Sequence, residues 1–187
     1  MNVLMITGSR RATGCTYTAL TIVAEELEAE GIGVQIVHVT DADAVDQALA
    51  ALDTADGLVL GTPVYWASPT GEIETFMDKL WGRAKRPQLA GKPCAVLASA
   101  RRGGTTASLD ALAKYPEYAE MPLVSSCYWN MVHGNKPEEV WQDEEGVGIM
   151  RQLGRNMAWL LKCIEAGKQA GLSVPELAEF NRTYFIR

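Results

Sequence analysis

The first seventeen residues constrain this chain more than any other stretch. Residues 3–6 form a short apolar run, typical of a fully buried strand, and Gly8 ends it. A loop of small and hydroxyl-bearing residues follows, and a helix begins near Thr16. Apolar side chains recur on one face of that helix: Leu20, Val23, Ala24 and Leu27.

A strand, such a loop and a helix N-terminus together form a place for a phosphate. Loop N–H groups and hydroxyls donate to the anion, and the helix dipole favours negative charge there. Arg10 and Arg11 add fixed positive charge. We interpret the segment as a phosphate-binding loop. The alternative is an ordinary turn in which Ser9 and Thr16 only cap the helix.

Two widespread phosphate-binding motifs are absent from this segment. The Walker loop requires G-x-x-x-x-G-K-S/T, but the spacing of Gly8 and Gly14 differs and no lysine follows. The dinucleotide fingerprint G-x-G-x-x-G is also missing.

Length and charge narrow the function classes. A chain of 187 residues suffices for one well-buried domain, and we expect residues 1–187 to form one. The net charge of −6 argues against nucleic acid as a partner. No stretch reaches the roughly 18 apolar residues of a membrane span, and no secretion signal is recognisable. We therefore expect a cytoplasmic location.

The cysteine pattern indicates free thiols in a reducing compartment. The four cysteines lie far apart without a C-x-x-C pair: Cys15, Cys94, Cys127 and Cys163. Cys15 is expected at a helix N-terminus beside two arginines, which would lower its pKa and make it reactive. The alternative is a small residue that simply faces a ligand.

Strands and helices alternate along the chain. The apolar runs predict strands at residues 3–6, 34–39, 57–61, 94–99 and 121–126. Helical periodicity covers residues 41–52, 72–81, 108–114 and 147–166, besides the first helix. This order predicts an α/β fold, a doubly wound five-stranded parallel sheet of flavodoxin-like order 2-1-3-4-5. Loops 8–15, 62–71 and 100–106 should then converge beyond the carboxyl ends of the strands.

Two segments resemble motifs of the NAD(P)H-dependent FMN reductase family. Residues 8–16 (GSRRATGCT) resemble that family's G-S-x-R-x-x-G-x-T phosphate loop. Residues 61–78 (GTPVYWASPTGEIETFMD) resemble its second motif, G-S/T-P-x-Y-x-x-S-x-x-G, followed by a helix ending F-x-D. The glycines at 103–104 fit the third flavin contact more loosely, and residues 127–187 resemble a C-terminal extension.

The resemblance implies a bound FMN and a set of contact residues. The phosphate would lie at Ser9, Arg11, Gly14, Cys15 and Thr16. The isoalloxazine would lie along Pro63, Val64, Tyr65 and Trp66, with the third contact at Gly103 and Gly104. Tyr65 and Trp66 could instead be core or interface aromatics.

The implied activity is electron transfer from NAD(P)H through FMN to a small acceptor such as a quinone, flavin or nitroaromatic. Two alternatives to this activity are a one-electron carrier of the flavodoxin type and a non-enzymatic redox-sensing module. No catalytic acid or base is named. Iron–sulfur flavoproteins of this superfamily carry a cysteine cluster after the second strand, whereas residues 40–46 contain no cysteine, so we expect no cluster and no metal.

The remaining candidates are weaker. His133 either approaches the flavin or has a structural role in its loop. His38 is expected to be a strand residue whose hydrogen bonds are made within the fold. The acids at 143–145 suit the start of the last helix better than a metal site. We expect a homo-oligomer, with aromatic residues that serve either as interface anchors or in internal packing: Trp66, Trp81, Tyr128 and Trp129.

Overall fold

A computed structural model describes residues 1–179 and 183–185. Its centre is a sheet of five parallel strands in the order β2-β1-β3-β4-β5. The strands are β1 (Asn2–Thr7), β2 (Gly33–His38), β3 (Gly57–Pro63), β4 (Cys94–Ala100) and β5 (Met131–His133). The flavodoxin-like α/β fold and the predicted strand order are confirmed.

Seven helices accompany these strands in the described residues. They are α1 (Cys15–Ala29), α2 (Ala44–Leu52), α3 (Gly71–Arg83), α4 (Arg86–Leu89), α5 (Thr105–Tyr118), α6 (Pro137–Val140) and α7 (Glu144–Gln169). Each predicted helix is present, and α5 and α7 extend beyond their predicted ends. None of the helices in the described part of the chain combines the length and apolar character that a bilayer crossing requires.

Alternation along the strands produces two hydrophobic cores, one on each face of the sheet. Val3 and Met5 of β1 pack with α1 and α7 on one face, whereas Leu4 and Ile6 pack with the α2, α3 and α5 side. All four side chains are almost fully buried. Because side chains alternate along a strand, burial on both faces requires the continuous apolar runs seen in the sequence.

Helix α7 packs closely on α1 through Gly154. A Cβ atom added at Gly154 would lie 2.7 Å from Glu26 Cβ and 2.9 Å from the Val23 carbonyl oxygen. Beside this contact, the guanidinium of Arg155 donates to the Glu26 carboxylate at 2.8 Å. The absence of a side chain at residue 154 therefore lets the two helices approach.

The predicted fifth strand at residues 121–126 is wrong. Among the described residues, the backbone of that segment is hydrogen-bonded to β4 only at Cys94. The Cys94 N–H donates to the Pro122 carbonyl at 2.9 Å, and its carbonyl accepts from Val124 N–H at 2.8 Å. Pro122 has no N–H for a ladder. The chain then leaves the sheet and returns at Asn130, whose carbonyl accepts from Ala98 N–H. Strand β5 follows this return.

Candidate functional site

The three irregular loops converge at the carboxyl ends of the strands, as the sequence predicted. They surround a cavity of about 150 Å³. Its lining residues are Ser9, Arg11, Gly14, Cys15, Thr16, Pro63, Val64, Tyr65, Ser99, Ala100, Arg101, Gly134 and Asn135. The volume suits a phosphate-sized group. A larger ligand would extend from the cavity over the loops, since sites for drug-sized molecules run from roughly 300 Å³ upward.

The first loop is held against its neighbours by buried hydrogen bonds. Gly8 N–H donates to the Gly61 carbonyl at 2.7 Å, and the Thr70 hydroxyl donates to the Gly8 carbonyl at 2.9 Å. Within the loop, Ser9 is buried and its Oγ accepts from Arg11 N–H at 3.0 Å. A Cβ at Gly14 would lie 3.1 Å from that Oγ. The loop is therefore compact around a small space.

The first turn of α1 faces this space without a side-chain cap. Gly14 is its N-cap residue and no side chain accepts from the helix N–H groups. The proposal that Ser9 and Thr16 only cap the helix is wrong, because Ser9 bonds within the loop and Thr16 Oγ1 lies 2.7 Å from Ser99 Oγ. The first backbone N–H groups of a helix have no partner inside it. They remain available to an anion.

Arg10 and Arg11 have different surroundings although they are adjacent in sequence. Arg10 Nε donates to Glu72 Oε1, and its guanidinium carbon lies 5.3 Å from the centre of the Tyr65 ring. The pKa of the Glu72 carboxyl is lowered, first by that hydrogen bond. Among the described residues, Arg11 has no carboxylate within 4 Å, and it lines the cavity. Arg11 therefore brings an uncompensated charge to the site.

Cys15 also lines the cavity, and of its two interpretations the structure favours the small side chain over the activated thiol. Its pKa is raised, chiefly because partial burial disfavours the thiolate. A backbone hydrogen bond and the charge of Arg11 act in the opposite direction and are outweighed. Cys15 is therefore a small, mostly protonated side chain beside the cavity at neutral pH.

The second loop contributes Pro63, Val64 and Tyr65 to the cavity wall. Val64 N–H donates to the Ser99 carbonyl at 2.9 Å, which ties this loop to β4. A tight turn follows, in which Tyr65 and Ser68 exchange backbone hydrogen bonds of 2.9 and 3.0 Å. Its central residues, Trp66 and Ala67, have φ angles of 55° and 59°, a region that is costly for residues other than glycine.

Trp66 occupies the tip of that turn and does not line the cavity. Its side chain is 99% exposed, so it is not a core residue. The third loop approaches the same turn through Gly104, which has a φ of 100°. A Cβ at Gly104 would lie 2.6 Å from Ala67 Cα. Neither Gly104 nor Gly103 lines the cavity itself.

The cavity brings together eight of the eleven residues predicted from the motifs, and it adds five that were missed. The three predicted residues outside it are Trp66, Gly103 and Gly104. The five additions are Ser99, Ala100, Arg101, Gly134 and Asn135. Ala100 and Arg101 fall in the predicted loop after β4, a signal that could have identified them. Gly134 and Asn135 follow β5, which lies at Met131–His133 and not at the predicted residues 121–126.

His133, Asp143 and His38, the weaker candidates from the sequence, make contacts within the fold. His133 N–H donates to Asp143 Oδ2 at 2.7 Å, and the histidine does not line the cavity. Asp143 also accepts from Gly146 N–H at 2.9 Å as the N-cap of α7, which agrees with the expected role of the acids there. His38 stacks on Tyr17 with ring centres 5.7 Å apart.

Other concave surfaces have less suitable chemistry. A larger cavity of about 660 Å³ lies between α2 and α3. The arginines on its walls are already paired with carboxylates, Arg10 with Glu72 and Arg83 with Asp46.

Across residues 1–179 and 183–185, no group of three or more His, Cys, Asp or Glu side chains is arranged for a metal ion.

The chemistry of the cavity fits the phosphate end of a flavin mononucleotide. A phosphate monoester carries about −1.5 to −2 charges at neutral pH and three acceptor oxygens. The cavity offers the uncapped first turn of α1, the Arg11 guanidinium and the buried hydroxyl pair of Thr16 and Ser99. Each of these is a donor, and no carboxylate lines this cavity.

Comparison with known proteins identifies the family of the chain. Residues 1–136 match the family model described as NADPH-dependent FMN reductase. The chain is 24% identical over 192 residues to an iron-sulfur flavoprotein of Methanocaldococcus jannaschii. The match covers 88% of this chain and 100% of that protein. It is 31% identical over 140 residues to FMN reductase (NADPH) of Escherichia coli, covering 67% of this chain and 66% of that enzyme.

The fold is also found among solved structures. The flavodoxin, WrbA-like protein from Agrobacterium tumefaciens superposes with a TM-score of 0.68, over 87% of this chain and 98% of that chain. The two sequences are 20% identical, so this likeness concerns the fold alone.

Proposed function

Because the chain belongs to the NADPH-dependent FMN reductase family, we propose that it is an FMN-dependent oxidoreductase that passes electrons from NAD(P)H to a small acceptor. A quinone, a free flavin or a nitroaromatic compound is the expected acceptor class. The observation that carries the proposal is the cavity at the strand ends, where the first two motif loops meet. Its donors match a phosphate, and its neighbouring loop offers an apolar and aromatic surface.

The phosphate end of FMN would be held by the first loop and the start of α1. Arg11 supplies the charge-assisted hydrogen bonds, and Ser9 and Thr16 border the same space. When bound, FMN supplies hydride acceptance from NAD(P)H and electron donation to the acceptor.

The chain's own contribution is binding and orientation. Pro63 and Val64 line the cavity and belong to a loop that the proline stiffens. The hydrogen bond from Val64 N–H to the Ser99 carbonyl fixes the distance of this loop from β4. Tyr65 lines the cavity under the guanidinium of Arg10. We assign no side chain to proton transfer.

A one-electron carrier is the second candidate. It is favoured by Tyr65 in the cavity wall and by the fully exposed Trp66 next to it, since an exposed aromatic side chain is well suited to a protein partner. A carrier and a reductase differ in whether NAD(P)H reduces the protein directly.

Absorption spectroscopy and stopped-flow mixing with NADPH test the function. Purified protein, or protein mixed with FMN, should show the twin bands of oxidised flavin, and these should bleach within seconds of mixing. A bound flavin that does not bleach with NADPH or NADH would favour the carrier. A protein that takes up no FMN would refute both functions.

We further propose that residues 1–187 act as one FMN-binding unit that assembles as a homo-oligomer. Gly134 and Asn135 in the C-terminal part line the same cavity as the first loop. Trp66, Tyr128 and Trp129 are exposed and could anchor an interface, whereas Trp81 donates to the Tyr115 carbonyl at 2.9 Å. Light scattering that gives only the 20.3 kDa monomer at micromolar concentration would contradict the oligomer.

A further inference from the structure

Two buried hydroxyls meet at the wall of the cavity. Thr16 Oγ1 at the start of α1 lies 2.7 Å from Ser99 Oγ near the end of β4. The residues are 1% and 3% exposed, and both line the cavity. Their contact joins two elements that are 83 positions apart in sequence.

The pair has one hydroxyl hydrogen that its own hydrogen bond does not use. Two hydroxyls carry two hydrogens, and only one of them lies between the two oxygens. Among the described residues, neither oxygen has a second hydrogen-bond partner. Buried hydroxyl groups normally have a hydrogen-bond partner. We therefore expect the remaining hydrogen to be donated to an acceptor in the cavity.

Ser99 also holds the second loop. Its carbonyl accepts from Val64 N–H at 2.9 Å, while its side chain contacts Thr16. Ser99 is therefore connected to both the phosphate loop and the loop that carries Tyr65. The sequence motifs include Thr16 but not Ser99.

We propose that Ser99 is a positioning residue for the phosphate end of the cofactor, acting through Thr16. In this role the Ser99 hydroxyl donates to Thr16 Oγ1. The Thr16 hydrogen is then free to donate to a phosphate oxygen, and Ser99 fixes its orientation. The proposal rests on the proposed function, because the anion it serves is the FMN phosphate.

A purely packing role for Ser99 makes a different prediction. Loss of packing would weaken FMN and riboflavin alike, since riboflavin shares everything but the phosphate. Loss of positioning would weaken FMN alone. It would also depend on Thr16, because a residue that acts through another has no effect once that residue's hydroxyl is removed.

The test is a double-mutant cycle of Ser99→Ala and Thr16→Val, with isothermal titration of FMN and riboflavin into the apoprotein. We expect FMN affinity to fall about fivefold for Ser99→Ala and about tenfold for Thr16→Val, in line with the usual net worth of a hydrogen bond. The double variant should lose no more than Thr16→Val alone. Riboflavin affinity should change by less than about twofold throughout.

Thr21→Val is the matched control, because Thr21 lies on the same helix and its hydroxyl donates to the Thr18 carbonyl at 2.8 Å, within that helix. It should leave the affinity for both ligands unchanged. Thermal unfolding of each apoprotein reports on the fold independently of the ligand.

Additive losses in the cycle, equal losses for FMN and riboflavin, or unchanged FMN binding by Ser99→Ala would each overturn the positioning role while leaving the proposed function intact. Wild-type protein that binds neither ligand would refute the proposed function, and the positioning role with it.

Discussion

Gly104 lies so close to Ala67 that a Cβ on Gly104 would come within 2.6 Å of the Ala67 Cα atom. The two residues belong to different loops, which follow β4 and β3. Gly104 also has a φ of 100°, where a side chain is strained. The contact shows how one glycine allows the two loops beside the cavity to meet.

Replacement of Gly104 by alanine should therefore separate these loops. We expect the free energy of unfolding to fall by about 1–3 kcal/mol and FMN binding to weaken. Gly103→Ala is the control, because a Cβ there meets nothing within 4 Å, and it should change stability by less than about 0.5 kcal/mol. Urea unfolding measures both. Equal effects for the two variants would contradict the contact.

Arg11→Ala should weaken FMN binding about ten- to hundredfold, the usual range for losing a hydrogen bond to a charged group. Arg10→Ala should cost much less, because Glu72 already neutralises Arg10. Riboflavin lacks the phosphate and should bind equally to both variants and to the wild type. Titration calorimetry of the two ligands decides the matter. If FMN and riboflavin lose affinity equally in Arg11→Ala, the first loop does not hold the phosphate.

Alkylation of Cys15 should depend on pH in the direction set by its raised pKa. Only the thiolate reacts, so modification by iodoacetamide should be slow at neutral pH and should rise as the pH approaches the raised pKa. Mass spectrometry of peptides gives the rate at each cysteine. FMN should protect Cys15, which lines the cavity, but not the exposed Cys127 and Cys163. Rapid modification of Cys15 at neutral pH would show that the thiol is activated after all.

Two glycines of α7 should respond to alanine in opposite directions. Gly154→Ala should destabilise the fold by about 1–3 kcal/mol, because the new Cβ meets Glu26 and the Val23 carbonyl of α1. Gly148→Ala meets nothing within 4 Å and should stabilise the helix by up to about 1 kcal/mol through its higher helix propensity. Thermal and denaturant unfolding compare the pair. Stabilisation by both substitutions would mean that α7 does not pack tightly on α1.

Local patterns in the sequence determined most of the fold. The apolar runs and the 3.6-residue periodicity predicted four of the five strands and all the longer helices, because burial imposes those patterns on adjacent residues. The fifth strand was the exception. Residues 121–126 have the composition of a strand, but β4 bonds to the chain at 122–124 and again at 130–133, with an excursion between them.

The sequence by itself also identified the two loops that supply most of the cavity. The first is rich in small and hydroxyl-bearing residues and carries two arginines, and the second is rich in turn-forming residues. Both also resemble motifs of the family. Tertiary structure alone decided which side chains are engaged. It paired Arg10 with Glu72, left Arg11 in the cavity, and placed Ser99 against Thr16. Those partners are 62 and 83 positions apart, and such contacts depend on how the strands and helices pack rather than on any pattern of neighbouring residues.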